Sequence, residues 1–118
     1  MRRMPSDGFE VAAQAGAAPG LDILTANGAI TSSNSAAFQE AVAKATAPRL
    51  ILDLTNVPSV DSMAVGALVR AFVWCNKSGR KLALVGVNRR VHNVLQLTGI
   101  DPLFDSYATI AEAEHALG

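Results

Sequence analysis

A serine hydroxyl beside a carboxylate, at Asp61 and Ser62, stands where a buried strand gives way to a long helix. We predict the strand at 50–54 from its apolar run, and the helix at 62–78 from apolar residues at helical spacing. Open α/β folds place ligands and modifiable groups at such junctions. An exposed hydroxyl there could accept a phosphate, which adds about −1.5 to −2 charge. Both residues are also preferred helix N-caps, so a purely structural role is the alternative.

Catalysis by Ser62 would require a base next to the hydroxyl and a group that orients this base. The chain has two histidines, His92 and His115, and both fall on predicted helices. His92 follows a neighbouring strand and could face Ser62, but a histidine on a helix surface is the simpler interpretation. Two unrelated histidines and one cysteine make no convincing metal site, and glycine-rich phosphate loops are absent. We therefore expect no enzyme activity, no cofactor and no metal.

Asp53, near the end of the same strand, suggests a second phosphate chemistry, the phosphoacceptor aspartate of a receiver domain. That chemistry needs an acidic pair after the first parallel strand to hold Mg²⁺. The early strands end in Ala26-Asn27-Gly28 and supply no such pair. We expect Asp53 to brace the following turn instead.

The composition excludes several classes of partner. Ten basic and ten acidic residues cancel, whereas nucleic-acid binding needs a basic excess on one face. The longest apolar window, 63–75, contains Arg70 and is shorter than the roughly 20 apolar residues of a membrane span. One cysteine, Cys75, and the lack of an apolar signal core after the basic first residues fit a cytoplasmic protein without membrane insertion.

Strands alternate with helices along the chain, which predicts a single α/β domain over 9–118 after a disordered tail at 1–8. We expect four to five strands in a mixed, mostly parallel sheet and about four helices. The first strand should form an antiparallel hairpin with the second, which ends at Asn27-Gly28. The first helix should follow the polar run 31–35 and continue to about Ala47, before Pro48. Asn88 and Thr109 should cap the last two helices.

The long helix carries two apolar faces. Its inward face is predicted to consist of four residues at helical spacing, Val65, Leu68, Phe72 and Cys75. Val69, Val73 and Trp74 lie off this face, next to Arg70 and Lys77. Either a loop or the tail covers them, or they form an exposed contact patch for a partner or a second copy of the chain.

The segment 52–66, Leu-Asp-Leu-Thr-Asn-Val-Pro-Ser-Val-Asp-Ser-Met-Ala-Val-Gly, resembles the signature of STAS domains, the anti-sigma factor antagonist family. In that family a hydrophobic-Asp-Leu strand leads to Asp-Ser-Ser/Thr-Gly-Leu-Gly at a helix start. The resemblance extends to 82–91 and to 95–104, where Leu-Gln-Leu-Thr-Gly-Ile is similar to the family's Leu-x-Leu/Met-Thr/Ser-Gly-Leu. It covers nearly the whole chain from about Phe9.

The resemblance implies a STAS fold and a bacterial partner-switching protein that regulates transcription. The unphosphorylated protein would bind an anti-sigma factor that is also an ATP-dependent serine kinase, and so release the sigma factor. Phosphorylation of the serine after the motif's aspartate, here Ser62, would break that complex. A PP2C-type phosphatase would reverse it. The alternative is a structural STAS subunit of a signalling or membrane-transport complex that never turns over phosphate.

Three positions near Ser62 depart from the family pattern. Met63 replaces the second hydroxyl residue, and Ala64 replaces a glycine and would add a methyl where the kinase approaches. Gly28-Ala-Ile-Thr31 replaces a Gly-x-Leu-Asp motif, so an acidic residue is missing. The predicted partner-binding residues are those around Ser62 and those of the outer helix face: Asp61, Met63, Ala64, Gly28, Thr31, Val69, Val73 and Trp74.

Overall fold

Five strands form one sheet in which the order along the sheet follows the order along the chain. The computed structural model describes residues 9–118, and the predicted tail at 1–8 lies outside the described residues. The strands are β1 (Glu10–Ala15), β2 (Leu21–Asn27), β3 (Arg49–Asn56), β4 (Lys81–Val85) and β5 (Asp105–Tyr107). β1 pairs antiparallel with β2, and the remaining neighbours are parallel. The predicted mixed, mostly parallel sheet is confirmed.

In residues 9–118, four α-helices connect or follow these strands: α1 (Ser35–Lys44), α2 (Ser62–Lys77), α3 (Arg89–Leu97) and α4 (Ile110–Leu117). A short 3-10 turn, Asp101–Leu103, lies before β5. The predicted caps of α3 and α4 are confirmed, since Asn88 Oδ1 accepts from Val91 N and Thr109 Oγ1 from Glu112 N.

α1 ends earlier than Ala47, the end that the sequence predicted. Arg80 lies just before β4. Its guanidinium donates hydrogen bonds to the carbonyl oxygens of Ala45 and Ala47. The C-cap Ala45 has an extended backbone, and these bonds from more than thirty residues away hold the segment 45–47 outside the helix.

The sheet separates two apolar clusters. Successive side chains of β3 point to opposite faces, so Leu50, Leu52 and Leu54 meet the helices α1, α2 and α3. Ile51 faces the other way, towards Ala113 and Leu117 of α4. The uninterrupted apolar run of β3 is therefore explained by helices on both faces of the sheet.

The inward face of α2 packs largely as predicted. Val65, Leu68 and Cys75 are buried, and the ring of Phe72 meets Phe104 edge-to-face at a centroid distance of 5.7 Å. Burial raises the pKa of the Cys75 thiol above its usual range, and the nearby Arg80 charge opposes this rise only in part. The thiol is thus a neutral core group, as predicted.

The carboxyl end of β3 is held by side-chain contacts. Asp53 Oδ1 accepts from Thr55 N at 3.0 Å and from Thr55 Oγ1 at 2.6 Å, so Asp53 braces the turn as predicted. Gly86, just after β4, lies so close that an added Cβ would be 2.1 Å from Thr55 Oγ1. Its φ of +72° also favours glycine. Together these contacts fix the edge of the sheet from which α2 departs.

Candidate functional site

Asp61, not Ser62, caps the amino end of α2. Asp61 Oδ1 accepts a hydrogen bond from Ala64 N at 2.8 Å, and its backbone is extended, as an N-cap requires. Ser62 is the first helical residue, and its side chain is exposed. Within residues 9–118 the Ser62 hydroxyl has no hydrogen-bond partner. Of the two possible caps that the sequence offered, Asp61 is the one observed, and Ser62 does not cap the helix.

The second oxygen of Asp61 ties α2 to a different loop. Asp61 Oδ2 accepts from Ser32 N at 3.2 Å, across 29 residues of sequence. The backbone continues this contact, since Ile30 N donates to Ser59 O at 3.1 Å and Asp61 N donates to Ile30 O at 3.2 Å. Ile30 and Val60 form an isolated parallel bridge. The two loops are thus joined into one surface that presents Ser62.

Asn34 gives the loop before α1 its shape. Its amide donates to Ala29 O at 2.9 Å, and its Oδ1 accepts from Thr31 N at 2.9 Å. Asn34 occupies the N-cap position of α1 but makes no side-chain cap bond there, so the predicted capping by this polar run is not observed. Gly28, with φ of 108°, donates its amide to Asn56 O at 3.0 Å. Its left-handed backbone allows the loop to leave β2 and still follow the end of β3.

Thr31 stands where the family has an aspartate, and it has no hydrogen bond to Ser62 within residues 9–118. Its hydroxyl hydrogen-bonds the Ser33 hydroxyl at 2.8 Å and also accepts from Ser33 N. This loop therefore adds hydroxyl groups, and no carboxylate, to the surface that Asp61 joins to α2.

The electrostatics at the start of α2 favour an anion. The amides of Ser62 and Met63 have no acceptor in the described part of the chain, because the cap bond goes to Ala64. The first turn carries no acidic side chain, so the partial positive charge of the helix terminus is opposed only by Asp61. A phosphate on Ser62 would meet free amide donors there, and the fold should tolerate it.

Met63 and Ala64 differ in exposure. Met63 is 69% exposed beside Ser62, so its side chain is accessible from solvent. Ala64 is 0% exposed, and its methyl faces the core. This burial argues against the predicted contact of Ala64 with a partner and against hindrance of a kinase by its methyl, and both stay predictions.

The outer face of α2 is smaller than predicted. Val69 is only partly exposed and packs against the main core, so less of its side chain lies on this face than expected. Val73 and Trp74 are exposed, by 43% and 54%. Trp74 lines a groove of about 470 Å³ between α1 and α2.

His92 lies on the surface of α3 and pairs with Asp101, whose Oδ1 is 3.4 Å from His92 Nδ1. Both residues line an open pocket with Ser106 and Tyr107. No hydrogen bond among the described residues connects His92 with Ser62, so the structure does not assemble the triad considered above. Residues 9–118 also contain no group of three or more His, Cys, Asp or Glu side chains suited to a metal.

Sequence reasoning missed Ser32 and Asn34 in the surface around Ser62, and it missed the place of Arg70 in the α1/α2 groove. Ser32 and Asn34 act through bonds to distant or neighbouring backbone, and a run of small polar residues does not show which member turns inwards. Arg70 was noted only as a neighbour of the apolar face, although it lines the same groove as Trp74.

The fold and the site define a class: an open α/β domain with helices on both sheet faces and an exposed serine at the first position of its long helix. The chain matches the STAS domain profile over residues 12–113 and therefore belongs to that family. This confirms the resemblance inferred from 52–66. None of the helices in residues 9–118 is both long and apolar enough to cross a bilayer.

Three known proteins illustrate the relationship. A protein of Thermotoga maritima named "Putative anti-sigma factor antagonist" is 38% identical over 65 residues, which cover 55% of this chain and 58% of that protein. A crystal structure of a Thermotoga maritima protein with the same description gives a TM-score of 0.78 at 26% identity, and covers 96% of this chain and 95% of the other. An anti-sigma factor antagonist from Mycobacterium paratuberculosis gives a TM-score of 0.83 at 21% identity, with 95% and 96% covered, which shows the fold alone.

Proposed function

We propose that this protein is an anti-sigma factor antagonist whose binding is gated by phosphorylation of Ser62. Unphosphorylated, it binds an anti-sigma factor and so releases the sigma factor held by that partner. The names of the similar proteins support the general role. The gating rests on the site of this chain.

One observation carries the gating proposal: Ser62 is exposed and has no hydrogen-bond partner within residues 9–118, while the neighbouring Asp61 performs the capping. A modification of Ser62 therefore breaks no bond of the fold. Free amides at the helix start stabilise the added phosphate within the domain. The new charge therefore destabilises the complex with the partner and not the fold of the domain.

The partner in this scheme is an anti-sigma factor that is also an ATP-dependent serine kinase. It transfers the terminal phosphoryl group of ATP to Ser62 Oγ, the hydroxyl proton is lost, and ADP leaves. The phosphate places about −1.5 to −2 charge in a contact formed around a neutral hydroxyl. A loss of ~2.7 kcal/mol in binding free energy would already weaken the complex about a hundredfold. A PP2C-type phosphatase returns the serine to its hydroxyl form by hydrolysis.

The remaining parts of the proposal concern the mode of action, the partner and the location. The domain acts by binding and not as an enzyme, with Asp61, Met63, Gly28 and Thr31 as the residues around Ser62 that a partner meets. A net formal charge of zero argues against nucleic acid as the partner. We place the protein in the cytoplasm, where sigma factors act, and assign the domain to residues 9–118.

The experiment that tests the phosphorylation step uses the cognate anti-sigma factor, ATP and Mg²⁺, followed by phosphopeptide mass spectrometry. We expect one phosphate, on the peptide that contains Ser62, and none in Ser62→Ala. The exposed Ser32, Ser33 and Ser106 provide internal controls in the same digest. Phosphate on one of these serines, with Ser62 unmodified, would contradict the proposal.

A second candidate function is a structural STAS subunit of a signalling or membrane-transport complex without phosphate turnover. It is favoured by the bulky, exposed Met63 beside Ser62 and by the exposed Val73 and Trp74. In that case a stable partner would co-purify, Trp74→Ala would release it, and Ser62→Asp would not.

A further inference from the structure

The groove between α1 and α2 has walls of small residues. The buried Val42 and Ala71 lie at its base, Ala36 and Ala43 line the α1 side, and Trp74 lines the α2 side. Alanines on facing helices leave space that larger side chains would fill, and the resulting volume of about 470 Å³ is mostly apolar. It could receive one or two apolar side chains from another molecule.

Arg70 supplies the groove with a positive charge that the domain does not neutralise. Within residues 9–118 its guanidinium makes no hydrogen bond or ion pair. It lies along α2, since a Cβ added at Gly66 would be 3.7 Å from Arg70 Nη1. Glu40, the acidic residue of the groove, lies 3.8 Å from Lys44 in an exposed ion pair. The unmatched charge at the groove is therefore positive.

An exposed tryptophan four residues from an unpaired arginine is the residue combination that interfaces use as anchors. The tryptophan offers apolar area, and the planar guanidinium offers paired donors that match a carboxylate. A segment that lies along the two helices would bring side chains one helical turn apart to these two groups.

We propose that the α1/α2 groove docks an amphipathic helix of a partner protein. An apolar side chain of that helix packs on Trp74 and the alanine walls, and an Asp or Glu carboxylate one turn away pairs with Arg70. The exposed apolar face of α2 would thus bind a helix of defined chemistry, apolar with one carboxylate. This contact does not depend on phosphorylation of Ser62. Its failure would leave the gating proposal intact.

Charge disfavours the two other occupants available to this chain. Residues 1–8 contain Arg2 and Arg3 but only one acidic residue, Asp7, so they have the wrong sign for Arg70. A two-fold dimer through the groove would place the same patch of both copies face to face, and Glu40, the acidic residue that could meet Arg70 of the other copy, already lies 3.8 Å from Lys44. A partner with an acidic, apolar helix avoids both conflicts.

The test is a selection from a displayed library of random helical peptides against the full chain, with Trp74→Ala as the counter-selection protein. We expect enriched peptides with an apolar residue and a carboxylate one turn apart. They should bind Trp74→Ala about thirtyfold more weakly. Binding should also shift the fluorescence of Trp74, the single tryptophan of the chain, to shorter wavelength.

Charge reversal provides the decisive control. Arg70→Glu should weaken the selected peptides about fivefold to tenfold, and replacement of their carboxylate by Lys should restore the affinity. Lys77→Glu, an equal charge change at an exposed site that does not line the groove, should have little effect.

Four results would overturn the proposal. The first two are an absence of Trp74-dependent peptides and a set of peptides that are indifferent to the Arg70 reversal. The third is a dimer in light scattering that Trp74→Ala dissociates, because it would identify a second copy as the occupant. The fourth is a change in Trp74 fluorescence on removal of residues 1–8, because it would identify this segment of the same chain as the occupant of the groove.

Discussion

The two ends of α2 present surfaces of opposite kinds. At the amino end, Asp61 bonds both Ala64 and Ser32, two loops are joined by backbone contacts, and the Ser62 hydroxyl is left without a partner. Towards the carboxyl end, Trp74 and Arg70 border an apolar groove with few polar contacts of its own. The first surface is preorganised, so a change in charge acts there without a change in shape. The second surface offers apolar area and one unpaired positive charge. It can therefore contribute to binding affinity without any change in charge that would turn binding on or off.

The largest expected effect is at the amino end. Ser62→Asp should weaken binding to the cognate anti-sigma factor about a hundredfold, because a carboxylate replaces the neutral hydroxyl in the contact. Ser62→Ala should bind like the unmodified protein. Titration calorimetry measures both, with Gln96→Glu as a control that adds the same charge on the exposed surface of α3. A similar loss in Gln96→Glu would attribute the effect to net charge and not to Ser62.

Asp61→Ala tests whether the two loops act as one unit. It removes the α2 cap and the Ser32 bond together, and we expect a loss of about 2 kcal/mol in the free energy of unfolding. Thr109→Ala is the matched control, because Thr109 caps α4 through one bond to Glu112 N and should cost about 1 kcal/mol. Urea denaturation compares them. Equal losses would mean that the bond to Ser32 contributes nothing.

Gly66→Ala separates stability from function at the residue between the two surfaces. The added methyl has room, with Arg70 Nη1 its nearest neighbour, so α2 should gain about 0.5–1 kcal/mol from better helix propensity. Binding to the anti-sigma factor should fall, because the methyl projects one turn below Ser62. Gly99→Ala is the control, since its φ of +76° should reverse the sign of the stability change. A stabilised Gly66→Ala with unchanged binding would remove Gly66 from the contact surface.

Trp74→Ala should change stability least. Because Trp74 is 54% exposed, we expect a loss below about 1 kcal/mol. Phe38→Ala, at a side chain that is 1% exposed, should lose about 3–5 kcal/mol in the same denaturation experiment. If the two losses were similar, Trp74 would belong to the core and the groove would not be a docking surface.

Much of the fold could be predicted because local patterns and tertiary packing agree. Three sequence patterns correspond to contacts in the structure: the apolar run at 50–54, the helical stripe of α2, and the caps at Asn88 and Thr109. The end of α1 could not be predicted, since the segment 45–47 is held outside the helix by bonds from Arg80 in another part of the chain.

The site was predicted less completely than the fold. The motif located Ser62 at the helix start, but two adjacent residues with capping oxygens look equivalent in sequence. The structure separates them because the carboxylate of Asp61 can hold Ala64 and Ser32 at once, whereas a serine has one oxygen. The burial of Ala64 and the groove lined by alanines depend on the packing of α1 against α2, which a helical pattern does not specify.

The measurement that addresses the central claim most directly is a titration of the anti-sigma factor with the protein in two forms, unmodified and carrying phosphoserine at position 62. A circular dichroism spectrum and a melting curve of each form verify that the fold is the same. We predict an unchanged fold and a dissociation constant at least about a hundredfold higher for the phosphorylated form. Equal dissociation constants for the two folded forms would contradict it.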